Sequence, residues 1–235
     1  MKYNFIKEDI TKLNMDAIVL PANMLLKEGR GASEAIFKAA GRRKLKQACE
    51  EIGFCEQGAA VPTRGFKLPA TYIIHAVVPG WVDGKHYEYE MLSAAYLSAL
   101  NVADIMECES IAFPLLASGN NGFSTELAME IAVNSIESYE PKHLKNVFIV
   151  LYNDKACIEA TRYGYTISMF SDLSSSENVF MKDCIKKGKH IAEEFVQDSI
   201  NDALDWLSKK ENRDKVVAAG IAIVGAVMKK IMEKK

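Results

Sequence analysis

Three short segments, "DAIVL" (16–20), "SIAF" (110–113) and "VFIVL" (147–151), are apolar at almost every position. A strand with one wet face alternates apolar and polar residues, because successive side chains point to opposite faces. Strands without that alternation need cover on both faces, which points to a sheet held between layers of helix. The text between them supplies the helices. Helical patterns run over Ala32–Ala40, Arg43–Glu51, Tyr87–Met106, Thr125–Ser138 and Lys155–Arg162. They separate strand candidates at Lys2–Ile6, Ala17–Leu20, Ala59–Pro62, Thr71–Ala76, Ser110–Pro114 and Asn146–Leu151. This order, without hairpin turns through the second half, predicts an α/β domain of three layers.

The pattern ends at "SDLSSSEN" (171–178), a polar break with helix-capping residues. Beyond it, Ile191, Phe195, Ile200, Leu204 and Leu207 recur at roughly helical spacing, with acidic residues between them. We therefore expect a domain over 1–170 and a helical C-terminal extension over 171–235. The run "VVAAGIAIVGAVM" (216–228) within the extension would span about 20 Å as a helix, against about 30 Å of bilayer hydrocarbon. No membrane span is expected. The run suits packing on protein or self-association, or weak shallow contact with a membrane through the basic "KKIMEKK" end.

The formal net charge of -2 gives no global field toward nucleic acid, so sequence-specific nucleic-acid binding is not expected. The five cysteines form no C-x-x-C pair and lack histidines at metal spacing. They read as reduced thiols in a cytoplasmic protein, and no metal site or cofactor is expected. The start, "MKYNFIKEDI", lacks the apolar core of a signal peptide.

In open α/β sheets ligands bind beyond the carboxyl ends of the strands. Three segments placed there are unusual. "IKEDIT" (6–11) puts Asp9 just after the first strand, a position equally suited to a turn or helix cap. "LPANMLLKEGRGASEAIFKAAG" (20–41) carries Asn23 and then Gly29 and Gly31 ahead of a helix, whose first N–H groups favour an anion. "FPLLASGNNGFST" (113–125) places Gly119 and Gly122 around Asn120 and Asn121, and successive N–H groups in such a loop can form a nest for phosphate oxygens. Neither loop is a dinucleotide fingerprint or a Walker A motif. On residue chemistry alone they suggest a diphosphate held between two loops.

Taken in order, "EDIT", "DAIVLPAN", "AIFKAAG", "GAAVPTRGFKLPATYIIHAVVPGW" and "SIAFPLLASGNNGF" resemble the macro domain, the ADP-ribose-binding module, over residues 1–165. The resemblance implies a three-layer α/β/α fold with a mixed central sheet and an ADP-ribose cleft across its carboxyl end. It implies that Asp9 accepts a hydrogen bond from the adenine amino group, with Ile10 offering its backbone. Tyr152 falls where the family often stacks an aromatic on adenine. Ser118, Gly119, Asn120, Asn121, Gly122 and Phe123 match the loop around the diphosphate and distal ribose. Gly29, Arg30 and Gly31 match the loop opposite, and Asn23 the asparagine on the distal ribose. The implied partner is ADP-ribose, free or attached to a protein or nucleic acid.

Hydrolytic relatives commonly carry a first asparagine where this chain has Leu20, and an aspartate where it has Ser33. A serine hydroxyl at its ordinary pKa does not replace that carboxylate as a base. Asn23 and Ser33 are the candidate catalytic positions that remain. Binding is thus expected ahead of ADP-ribosyl hydrolysis or O-acetyl-ADP-ribose deacetylation. Arg30 stands in a run that is usually glycine, as a charge for a phosphate or for solvent. His75, inside an apolar strand, reads as a structural histidine.

Overall fold

In this computed structural model the chain is described over residues 1–169; the extension expected at 171–235 lies outside the described residues. Seven strands form one mixed sheet: β1 (Lys2–Lys7), β2 (Ala17–Ala22), β3 (Ala60–Arg64), β4 (Tyr72–Val77), β5 (Ser110–Pro114), β6 (Asn146–Leu151) and β7 (Ile167–Ser168). Their spatial order is β3-β4-β2-β5-β6-β1-β7. Only β3 runs antiparallel to its neighbour. The short β7 at the edge pairs Phe5 with Ile167 and is not legible in the sequence, because two residues carry no periodicity.

Five helices cover the sheet: α1 (Ala32–Ala40), α2 (Arg42–Ile52), α3 (Glu88–Ile105), α4 (Thr125–Ser138) and α5 (Asp154–Arg162). The uniformly apolar strands are buried on both sides. Ile18 and Val19 are each 0% exposed although they point to opposite faces. Ile18, Ile73 and Phe148 face one core with Ile36, Phe37 and Leu45 of α1 and α2. Val19, Ile74, Phe113 and Ile149 face the other with Tyr96 and Leu100 of α3 and Met129 and Ile136 of α4. The three expected layers are present.

Helix boundaries follow local chemistry. Ser124 caps α4 by accepting the Leu127 N–H, and Asn153 caps α5 by accepting the Ala156 N–H. The helix α1 starts at Gly31 without a side-chain cap, which leaves its first-turn N–H groups unspent by any capping side chain.

β2 and β5 are neighbours in the sheet, yet their following connections leave to opposite faces, β2 to α1 and β5 to α4. β1 and β6 divide similarly, β1 toward a 3-10 turn (Ile10–Lys12) on the α1 side and β6 toward α5. Such divergence opens a crevice at the carboxyl edge. Here it runs along four adjacent strands, β2-β5-β6-β1. At about 4.8 Å per interstrand step that is about 14 Å, the scale of an extended nucleoside diphosphate.

Candidate functional site

At the β1 end of the crevice, Asp9 is the cap of the 3-10 turn. Its Oδ1 accepts from the Thr11 N–H at 3.0 Å and from the Thr11 hydroxyl at 2.7 Å. Oδ2 is left with only a long contact, 3.7 Å, to Lys12 Nζ. The cap and the ligand reading of Asp9 are therefore compatible, one per oxygen. Ile10 is buried behind it. Tyr152, directly after β6, is 79% exposed and presents its ring at the same end. Lys7 and Asp154 form an ion pair on this rim.

At the β2–β5 end the two glycine loops face one another. Gly31 has φ +67, and a Cβ built on it would stand 3.7 Å from Asn120 Nδ2. The 115–124 loop is anchored on its own backbone and on its neighbours. Gly122 N–H donates to Gly119 O, and Phe123 N–H to Ala117 O. The Ser118 hydroxyl donates to Leu115 O at 2.9 Å. Asn121 is held twice: its side-chain Nδ2 donates to Pro79 O, and its backbone carbonyl accepts from Trp81 N–H. Phe123 is 3% exposed, and its ring meets Trp81 edge-on at 5.1 Å. Its side chain belongs to the wall behind the loop. The N–H groups of Gly119, Asn120 and Asn121 have no acceptor among the described residues, as a nest for phosphate oxygens requires.

The 23–31 loop is held at four points. Asn23 Oδ1 accepts from Leu25 and Lys27 N–H, while its Nδ2 donates to Lys27 O at 2.8 Å. Met24 O accepts from Cys55 N–H. Glu28 binds Arg42 Nε through both carboxylate oxygens. Gly29 N–H donates to Ser33 Oγ at 3.0 Å. Two candidate catalytic positions thus have structural partners: Asn23 shapes its own loop, and Ser33, 2% exposed, clips the loop to the first turn of α1. Leu20 is 1% exposed and lies in register with His75 of β4.

His75 is 0% exposed, with Nε2 2.8 Å from Thr63 Oγ1. Burial drives its pKa down to about 3, so the ring is neutral and structural, as its apolar setting suggests. Among the described residues no two cysteines form a disulfide; Cys49, Cys55 and Cys108 are buried, and burial pushes the Cys49 thiol up to about 12. Burial also raises the pKa of Cys108 and Cys157, so the Cys49, Cys108 and Cys157 thiols lack the lowered pKa of a nucleophile.

Two supports were not foreseen from the residues. Glu88, buried at the start of α3, accepts from the N–H groups of Val82, Asp83 and Gly84 with one oxygen and from His86 N–H with the other. Burial alone would raise its pKa; these donors outweigh that and hold it at about 2. This fixes the 80–87 segment on which Asn121 rests. Tyr96, fully buried in α3, accepts Leu116 N–H at 3.0 Å and so sets the start of the 115–124 loop. A helix-start glutamate after a glycine turn is a weak hint of the first; the second has no local signal.

An α/β protein with opposed glycine loops at a topological switch point defines a class that takes an extended phosphate-bearing ligand across the carboxyl edge. The chain belongs to the macro domain family. The family model for the macro domain matches residues 19–132. A macro domain-containing protein of Chlorobaculum tepidum is 40% identical over 152 residues, 64% of this chain and 88% of that protein. An O-acetyl-ADP-ribose deacetylase of Escherichia fergusonii is 38% identical over 160 residues, covering 66% and 90%. Among solved structures, a mutant Oceanobacillus iheyensis macrodomain with ADP-ribose superposes with a TM-score of 0.62 at 30% identity, covering 68% of this chain and 91% of that one.

Proposed function

We propose that the crevice binds ADP-ribose, free or as an ADP-ribosyl group on a macromolecule, and that this chain acts as a binding module. Adenine lies between Asp9 Oδ2, the Ile10 backbone and the Tyr152 ring. The diphosphate lies between the N–H groups of residues 119–121 and the loop around Gly29 and Gly31. The distal ribose lies toward Asn23, Ser33 and the Phe123 wall. All of these positions fall within a module ending near residue 170. The reading extends to a cytoplasmic location, where free thiols persist.

The observation that carries binding over chemistry is the pairing of Gly29 N–H with the buried Ser33 hydroxyl. A serine there holds the loop and supplies no base of useful pKa. A second reading, an ADP-ribosyl hydrolase or O-acetyl-ADP-ribose deacetylase, has support in the name of the Escherichia fergusonii relative. Incubation with an ADP-ribosylated protein and with O-acetyl-ADP-ribose, beside Ser33→Asp, separates the two. We expect tight ADP-ribose binding without turnover in the wild type, and turnover appearing or rising in the variant. Turnover by the wild type in either assay would reject the binding-only reading.

A further inference from the structure

The charges around the cleft mouth are unevenly paired. Arg42, at the start of α2, holds both acidic groups of the neighbouring segment: its Nε lies 2.8 Å from Glu28 and its guanidinium 3.7 Å from Glu34. Arg30, between those two glutamates in sequence, is exposed and has no hydrogen bond or ion pair among the described residues. Its backbone is nevertheless fixed on both sides. The preceding residue, Gly29, is tied to Ser33, and the following one, Gly31, is at φ +67 beside Asn120. The side chain is thus free on a rigid base, next to the residue at which this loop meets Asn120 of the opposite one.

The opposite loop, "LLASGNNGFS" (115–124), contains no charged residue. Whatever anion lies between the loops meets neutral N–H donors from that side and the partial positive charge of the α1 N-terminus from the other. The other cation of this loop, Lys27, lies four residues before Gly31 in the chain, with its backbone held by Asn23. Arg30 is therefore the cation next to the glycine at which this loop meets the opposite one.

Resting on the ADP-ribose reading of the cleft, we propose that Arg30 is the charge-selective clamp of this site. Its guanidinium pairs with phosphate oxygens of a pyrophosphate-bearing nucleotide and separates such ligands from nucleoside monophosphates. A planar guanidinium matches two phosphate oxygens at once, which an ammonium cannot do. Neutral N–H donors respond weakly to ionic strength, whereas an exposed cation is screened, so the salt sensitivity of binding is carried mainly by this one residue.

The test is calorimetric titration of the full chain with ADP-ribose and with AMP, at about 0.05 M and about 0.5 M NaCl. Wild type, Arg30→Gln and Arg30→Lys are compared after their thermal stabilities are shown to agree. Arg30→Gln is expected to weaken ADP-ribose binding by about five- to tenfold at low salt and by less than about twofold at high salt, with AMP binding unchanged. Arg30→Lys should keep the salt dependence and recover part of the affinity. If Arg30→Gln binds ADP-ribose with wild-type affinity and salt dependence, or weakens AMP equally, the clamp is refuted while the cleft assignment stands. If the wild type binds no ADP-ribose at either salt, both readings fall.

Discussion

Gly31 and Asn120 belong to loops that depart toward opposite faces of the sheet, yet they meet across its carboxyl edge, with 3.7 Å between the position of a Gly31 Cβ and Asn120 Nδ2. The neighbour leaves room for a methyl group. What the site does not leave is a choice of backbone, since φ +67 is poorly tolerated by a β-branched residue. Gly31→Val should therefore lower Tm by about 2–8 °C and weaken ADP-ribose binding by at least about tenfold. Gly119 offers the contrast, because nothing lies within 4 Å of a Cβ there. Gly119→Ala should leave Tm within about 1 °C, so any loss of affinity in its titration reports ligand contact alone.

Asp9 divides its two oxygens between a cap and the crevice. Asp9→Asn keeps an oxygen for the Thr11 donors and removes the charge, whereas Asp9→Ala removes both. Differential scanning calorimetry should show Asn near wild type and Ala destabilised by about 0.5–2 kcal/mol. Binding of ADP-ribose should fall in both, which equal affinities for wild type and Asp9→Asn would contradict.

Glu88 makes a pH-dependent contribution of known sign. Its folded pKa of about 2 lies below its ordinary value of 4.5, so its support for the 82–86 segment is complete above about pH 4.5. That support is lost as pH falls from there through about 2. Glu88→Gln should lower Tm at neutral pH, and the gap to wild type should close as pH approaches 2. A constant gap across that range would mean that the four N–H groups do not depend on the carboxylate charge.

His75 acts in the opposite sense to a surface histidine. With a folded pKa of about 3 against an ordinary 6.5, the unfolded chain takes up a proton that the folded one refuses, and stability falls as pH drops below about 6.5. Imidazole NMR should show the His75 ring neutral at about pH 5, where an unperturbed histidine is protonated. Protonation of His75 near its ordinary pKa would require an environment other than the one beside Thr63.

The sequence by itself determined the layers, two helices to the residue and the position of both glycine loops. Unalternating "DAIVL" and "VFIVL" demand two-sided burial, and Ala32–Ala40 and Thr125–Ser138 are bounded by glycine and serine signals that act within a turn. Tertiary structure decided what those loops face and which of their side chains remain free. The strand order that sets β2 beside β5 depends on hydrogen bonding between segments about ninety residues apart, which no local pattern encodes. For the same reason Ser33 and Asn23, read from the chain as candidate chemistry, emerge paired to loop backbone. Glu88, only faintly signalled in the chain, and Tyr96, silent in it, hold the walls. A buried donor or acceptor must find a partner, and which partner comes within reach is settled only when the sheet is assembled.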